Sequence, residues 1–571
     1  MYSLGKKNRR KNFYRLSNFI VLVLISSFLL SCSPSIEQDN EVLITPSHTL
    51  AAPTSTPVSI PKLMIGKEVP KDIAEYVISA LEGQVQLTED EETVSLFIRA
   101  GTQNPVANWI YALAVPFPTV MDGISEQKLR AIWTGKVYDD LSGTLLKMDE
   151  ETLRVFTAIW GKPAENSILI DNEISDTEYE VDFDQQALYL IPFGDIKPQW
   201  KILKINEQSP IQKEFDPFSY PLTVSFNIQS FSGEEDDANF PIQSSSIFTN
   251  RDSSKLTDIM LTGVTALVRG TALVMEQKGV LYPGEDIRSQ TRAVDFMHVN
   301  NEVPFTIDCP YPELNSKKGL VFCSDTRYYD LLEDIGTDII EVSGDHFSDY
   351  GVEGAFYTLN LYDQKKTPYY GGGRNAEDAR QPLLLEHNGN KIAMLGCNGK
   401  NNKYYAPADE NTPGAILCDF DWLESDIAQL KSEGYVVIVT FQHVEYYSYE
   451  AQPILVEDFG HAAAAGADIV SGSQSHQAHG FAFQNGAFIH YGLGNLFFDQ
   501  YKYCAGSVCD YGFMDRHIIY EGRHINTEII PIRFIDMARP RLMTLEEKEV
   551  FLDIIFNASN WAIEDYSLEK K

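Results

Sequence analysis

A β-branched apolar run at 338–342 stops at Ser343-Gly344, and a carboxylate and an imidazole follow at once as Asp345 and His346. Asp349-Tyr350-Gly351 then turns the chain into a helical pattern. The pair is therefore expected at the carboxyl end of a strand in an α/β unit, where open sheets place their ligands. Three further runs end in the same way: 294–299 leads to Asn300-Asn301-Glu302, 435–440 to Gln442-His443-Val444-Glu445, and 468–471 to Gln474-Ser475-His476. One such histidine is more often a satisfied polar residue than a ligand, but four strand ends delivering acids and imidazoles point to a common site. Glu302, Asp345, His346, His443 and His476 offer two carboxylates and three imidazoles, a donor set suited to a divalent Mn, Zn or Fe ion. The same residues can instead form a polar network of Asp-His and Glu-His hydrogen bonds.

The elements that must position these residues begin near 250. From there the pattern alternates: strand 256–268, helix 270–278, strand 294–299, helix 325–336, strand 338–342 and helix 352–365. A hairpin over 383–395 turns at Asn388-Gly389-Asn390, followed by helix 420–433, strand 435–441, helix 454–465 and strand 468–472. Antiparallel strands over 482–491 turn at Asn485-Gly486. This succession predicts an α/β domain over 250–540. Thr544 and Glu547 form a capping-box pattern that starts a C-terminal helix within a tail at 541–571.

At the other end, a basic cluster at 6–11, an apolar run at 19–30 and Leu29-Leu30-Ser31-Cys32 have the parts of a secretory signal. The Leu-Leu-Ser-Cys string resembles the lipobox of bacterial lipoproteins. That resemblance implies a signal peptide at 1–31, lipidation of Cys32, and a mature chain held outside the cytoplasm at the cell membrane. Residues 32–60 are rich in Ser, Thr and Pro without periodicity and read as a spacer. With 571 residues, the chain should hold two or more domains. A net charge of −35 excludes nucleic acid as a partner, and any polyanion must be met by a local cation or a metal ion. Apart from Cys32, six cysteines remain: Cys309, Cys323, Cys397, Cys418, Cys504 and Cys509. An even number in an exported chain suggests disulfides, and pairing neighbours in sequence closes three local loops.

Residues 61–235 form a first, smaller α/β region, with strands at 110–115 and 187–191 and a helix after Ser125 that carries Leu129, Ile132 and Trp133 on one face. The strings ALAVPFPTVMDGISEQKLRAIWTGK and ALYLIPFGDIKPQWKILKINEQSP resemble the phosphate-binding-protein type of periplasmic solute-binding domain. The resemblance implies anion binding at a helix N-terminus, for which Ser125 is the candidate, although that serine can equally be a plain N-cap.

VNNEVPF, SGDHFSDYG, YYGGGRNAEDAR, VIVTFQHVEYY, GADIVSGSQSH and IHYGLGNLFFDQ, in that order, resemble the CapA family of poly-γ-glutamate capsule proteins. The resemblance implies a metallophosphoesterase-like β core flanked by helices. It also implies a role in synthesis or export of an anionic surface polymer, with that polymer or its synthase complex as partner. By the same resemblance Glu302, Asp345, His346, His443 and His476 fall on ligand positions, with Asp345, His346 and His443 nearest to catalysis. Arg374, Glu445, Asn495 and His479 are candidates for contacting substrate or bracing the site. Two expected ligands are missing from the family pattern, Val264 standing where the first strand usually ends in Asp and Gln474 replacing a histidine, while Asp345 stands where the pair usually has Asn. Catalysis is thus open between a metal-dependent hydrolase and a non-catalytic polymer- or solute-binding lipoprotein.

Overall fold

The chain divides into Met1–Ser59 and Ile60–Lys571. A computed structural model describes residues 60–136, 143–174, 187–230, 247–314, 319–400, 407–499 and 510–568. The signal, the spacer, Cys32, Cys504 and Cys509 lie outside the described residues. Among the described residues, no helix is long and apolar enough to cross a membrane.

The N-terminal part is built on the strand Ala107–Pro116, whose ten residues are all buried. A strand covered on both faces reads as a continuous apolar run. It pairs antiparallel with Thr223–Ser230, Ala187–Pro192 and Trp200–Ile205. The helix predicted after Ser125 spans Glu126–Trp133 and buries Leu129, Ile132 and Trp133. Two further amphipathic helices, Lys71–Ala80 and Glu150–Trp160, pack on the same core.

The C-terminal part contains two sheets. In one, the parallel strands Leu256–Thr262, Phe296–Asn301, Thr337–Glu341 and Tyr369–Tyr370 continue through antiparallel pairing into Tyr511–Tyr520 and Arg523–Phe534. In the other, Asn390–Asn398, Val436–Gln442, Ile469–Gly472 and Ala487–His490 run parallel, with Leu383–His387 and Phe481–Gln484 as antiparallel edges. Ile259, Leu261 and Ile339 of the first sheet share one apolar core with Ile392, Met394, Val436 and Ile438 of the second, so the sheets pack face to face. Helices such as Gly351–Lys365 and Phe420–Ser432 cover the outer faces. This is the mixed α/β class that the alternating pattern predicts, with the β core flanked by helices that the family resemblance implies. The helix Leu545–Asn557 opens on the expected reciprocal Thr544–Glu547 capping box.

One expectation is corrected in detail. The strand read over 256–268 stops at Thr262. At Gly263 a Cβ would lie 2.1 Å from the Gly494 carbonyl, and the chain resumes as Val264–Thr265 between Phe296–Asn301 and Asn495–Phe497. The close backbone approach breaks the ladder that the apolar sequence alone would continue.

The disulfides Cys309–Cys323 and Cys397–Cys418 form as neighbour pairing predicts. The two parts of the chain also share packing. Phe117, on the loop after Ala107–Pro116, is 2 % exposed and sits against Phe481, Phe483, Phe488, Phe556 and Trp561 at ring-centroid distances of 5.4–6.3 Å. The Nζ of Lys548, on the C-terminal helix, donates to Asp122 Oδ1 at 2.6 Å.

Candidate functional site

The carboxyl ends of parallel strands from both C-terminal sheets meet. Phe296–Asn301 delivers Glu302, and Thr337–Glu341 delivers Asp345 and His346. Gly344 makes this possible, because a Cβ there would sit 2.7 Å from the Glu302 Cα. The loop can therefore pass directly over the Glu302 backbone. Oxygen and nitrogen atoms of Glu302, Asp345 and His346 lie within 4.8 Å of one another, close enough to share a metal ion.

A residue that the sequence reading missed joins them. Asn390–Asn398 ends in Gly399-Lys400, and Lys400 Nζ donates to Asp345 Oδ2 at 2.7 Å and lies 3.5 Å from Glu445 Oε1. The other strand ends deliver acids and imidazoles, and this one delivers an ammonium. Glu445, from the loop after Val436–Gln442, also accepts from Gln474 Nε2 at 3.1 Å and from the Tyr447 hydroxyl at 3.0 Å.

His476 adopts φ 53° and is buried beside Glu445, with 3.7 Å between its Nε2 and Glu445 Oε1. Asn495 fixes its tautomer. The Asn495 Nδ2 donates to the His476 carbonyl at 3.0 Å, so the Asn495 Oδ1 at 2.9 Å must accept from His476 Nδ1. The Nε2 lone pair is then left facing Gln474 and Glu445.

His443, Arg374 and His479 are not brought to this cluster. The Val444 N–H donates to His443 Nδ1 at 2.9 Å, so its Nε2 carries the other proton and donates to Asp458 Oδ2 at 2.7 Å. Both nitrogens of His443 are spent away from the carboxylates. Its ring lies over Gly399, where a Cβ would come within 2.3 Å of it. Arg374 pairs with Asp363 at 2.6 Å and donates to Asn360 at 2.9 Å. The His479 Nδ1 is 2.6 Å from the Ser448 carbonyl. Ser125, the candidate anion-binding residue of the N-terminal part, accepts from the Lys128 N–H as an ordinary helix cap.

Burial and neighbouring charges together set the protonation states in the cluster. Burial and the neighbouring Asp345 push the Glu302 carboxyl up to about 8. Burial alone would raise Asp345 and Glu445 as well, but Lys400 with His346 holds Asp345 below the usual carboxylate range, and Lys400 with hydrogen bonds from Gln474 and Tyr447 does the same for Glu445. Burial opposes charge on His346, yet the Asp349 carboxylate 2.7 Å from its Nδ1, together with Glu302 and Asp345, raises it to about 9. Burial lowers His476 to about 4. At neutral pH Asp345 and Glu445 thus face Lys400 and His346, with the Asp349 carboxylate as a further acid against His346. The cluster opens to solvent at Glu445 and, less, at His346, whose side chains are 33 % and 15 % exposed.

Tested against a divalent ion, this donor set fits poorly. Three ligand atoms converge, and Asp345 Oδ1 is buried without a hydrogen-bond partner. Against this, Val264 supplies only methyl groups, His443 is turned to Asp458, and an ammonium already holds Asp345. A divalent ion and an ammonium about 4 Å apart repel by about 8 kcal/mol at an effective dielectric near 20. Lys400 therefore takes up the charge that an ion would have to neutralise.

Residues 258–500, the part of the chain that builds this cluster, match the family model described as "Bacterial capsule synthesis protein PGA_cap". The "PGA biosynthesis protein CapA" of Bacillus subtilis (strain 168) is 28 % identical over 228 residues, covering 40 % of this chain and 59 % of that protein. The "Capsule biosynthesis protein CapA" of Bacillus anthracis is 22 % identical over 332 residues, covering 56 % of this chain and 79 % of that protein. Among solved structures, a putative 5'-nucleotidase from Staphylococcus aureus aligns with TM-score 0.33 at 13 % identity, over 52 % of this chain and 57 % of that one. An ABC-type phosphate transport receptor from Vibrio cholerae aligns with TM-score 0.25 at 14 % identity, over 31 % and 89 %. Six ordered motifs and the family match fall on the same strands and loops, and residues 258–500 are similar to the PGA_cap family of bacterial capsule synthesis proteins.

Proposed function

We propose that this chain acts in capsule biosynthesis as a lipid-anchored protein on the outer face of the cell membrane. Its strand-end cluster handles an anionic surface polymer such as poly-γ-glutamate, or its growing end within a synthase complex. The observation that carries this reading is a pair of cations, Lys400 and His346, at the solvent-open junction of the family-matching strands in a chain of net charge −35. An average field of that sign repels a polyanion, so recognition has to be local. His346 is held by Asp349 with its Nε2 toward Asp345, so it can present a proton or a charge-assisted hydrogen bond to a carboxylate.

Binding of fluorescently labelled poly-γ-glutamate to the detergent-solubilised full chain tests this. Saturable binding is expected, weakened about tenfold or more in His346→Ala, the equivalent of losing about 1.4 kcal/mol or more. No binding by the wild-type protein, or equal binding by the variant, would sink the reading. The anchor is tested separately. Cys32→Ala should leave the protein unprocessed or released from the detergent phase, whereas unchanged partitioning with an intact N-terminus would indicate a retained signal anchor.

A metal-dependent hydrolase using Mn, Zn or Fe is the second reading. What favours it is the convergence of Glu302, Asp345 and His346. Hydrolysis of the polymer or of a phosphoester that appears only with added divalent metal would select it.

A further inference from the structure

We propose that Lys400 is the resident cation of this site and keeps a divalent ion out of it. The Lys400 stem is 8 % exposed and its ammonium is wedged between Asp345 Oδ2 at 2.7 Å and Glu445 Oε1 at 3.5 Å, beside buried Glu302. Lys400 is itself placed with care: its backbone N–H donates to Asn398 Oδ1 at 3.0 Å, and the Asn398 Nδ2 donates to the Ser343 carbonyl at 2.9 Å. One asparagine thus ties the lysine-bearing strand end to the loop that carries Asp345.

Among the described residues around the ammonium, the groups that would complete a metal shell are absent or spent, except for His476 Nε2, 3.7 Å from Glu445 Oε1. The strand next to Glu302 presents Val264, in an apolar patch with Ala266, Val303, Phe322 and Phe498. Gln474 offers Glu445 an amide N–H where an imidazole could have faced the same carboxylate. The Nε2 of His443 is committed to Asp458. The carboxylates remain, and a lysine supplies their counter-charge. A buried carboxylate cluster stripped of its cation is strongly unfavourable, so removing the lysine should create demand for another cation.

The test uses the detergent-solubilised full chain purified without chelator, titrated calorimetrically with MnCl2 or ZnCl2 and melted with and without each ion. Wild type and Lys400→Arg should bind no ion at micromolar concentration, with melting temperatures unmoved. Lys400→Met should bind one ion at least about tenfold more tightly than wild type and gain melting temperature as the ion is added, by linkage. If Lys400→Met is too unstable to titrate, the melting series still reports, since added ion should restore its folding. Stoichiometric binding by wild type, or a Lys400→Met protein that neither binds nor is rescued by either ion, overturns the proposal. Polymer binding is read in a different assay, so failure of the polymer reading leaves this result standing.

Discussion

His524 should make the fold measurably acid-sensitive. It lies in the strand Arg523–Phe534 and is 7 % exposed, with its Nε2 2.9 Å from Thr527 Oγ1 and 3.0 Å from the Asn526 carbonyl. A carbonyl can only accept, so Nε2 carries the proton, and the buried Nδ1 has no partner. A second proton would have to go on Nδ1, with no acceptor and with the imidazole of His517 at 5.5 Å between ring centroids. Burial accordingly lowers His524 from 6.5 to about 3. The folded state then stays neutral at pH 5 while the unfolded state titrates near 6.5, so the stability is complete well above 6.5 and is lost as pH falls from there toward 3. Between pH 7.5 and 5.0 the cost is about 1.5 units of 1.36 kcal/mol, or about 2 kcal/mol. It depends on the unfolded value and hardly on how far below 4 the folded value lies. His298, lowered to about 3 by burial, acts in the same direction, whereas Glu302, raised to about 8, acts in the opposite one. The comparison must therefore be differential. Urea unfolding of wild type and His524→Gln at both pH values should show the variant losing about 2 kcal/mol less on acidification, because glutamine keeps the donor to Asn526 and removes the titration. Equal losses in the two proteins would refute the argument.

Phe117→Ala removes a buried ring from a cluster of five aromatic side chains drawn from the C-terminal part and should cost about 3–5 kcal/mol. A fluorescence and circular-dichroism melt should show both parts destabilised together, whereas a shift confined to the N-terminal part would contradict the shared packing. The Cys397–Cys418 bridge closes a separation of 21 residues and should contribute about 3 kcal/mol through the unfolded chain. Reductant should lower the urea midpoint of the protein, and Cys418→Ser should reduce that sensitivity by the share of this bridge, leaving the share of Cys309–Cys323.

The sequence by itself determined the class of fold, the four strand ends that lead to Glu302, Asp345, His443 and His476, and two of the disulfides. Those are local matters: β-branched runs stopping at Ser-Gly or Asn-Asn, the Thr544–Glu547 cap, and cysteines near enough in sequence to close short loops. It also placed Glu302, Asp345 and His346 correctly at strand ends, because the carboxyl end of a parallel strand is fixed by chain direction alone. Which way each side chain points from its strand end was decided only by tertiary packing. His443 and Glu445 leave the same strand two residues apart, yet one is pinned to Asp458 on a helix and the other reaches Lys400. Lys400 itself lies 55 residues from Asp345, and no periodicity or motif spacing links the two. Their meeting requires the two sheets to stack with both sets of carboxyl ends at one edge, which follows from the shared core of Ile259, Ile339, Ile392 and Ile438. A charge can be read from sequence, but its partner is chosen by the packing of residues far away along the chain.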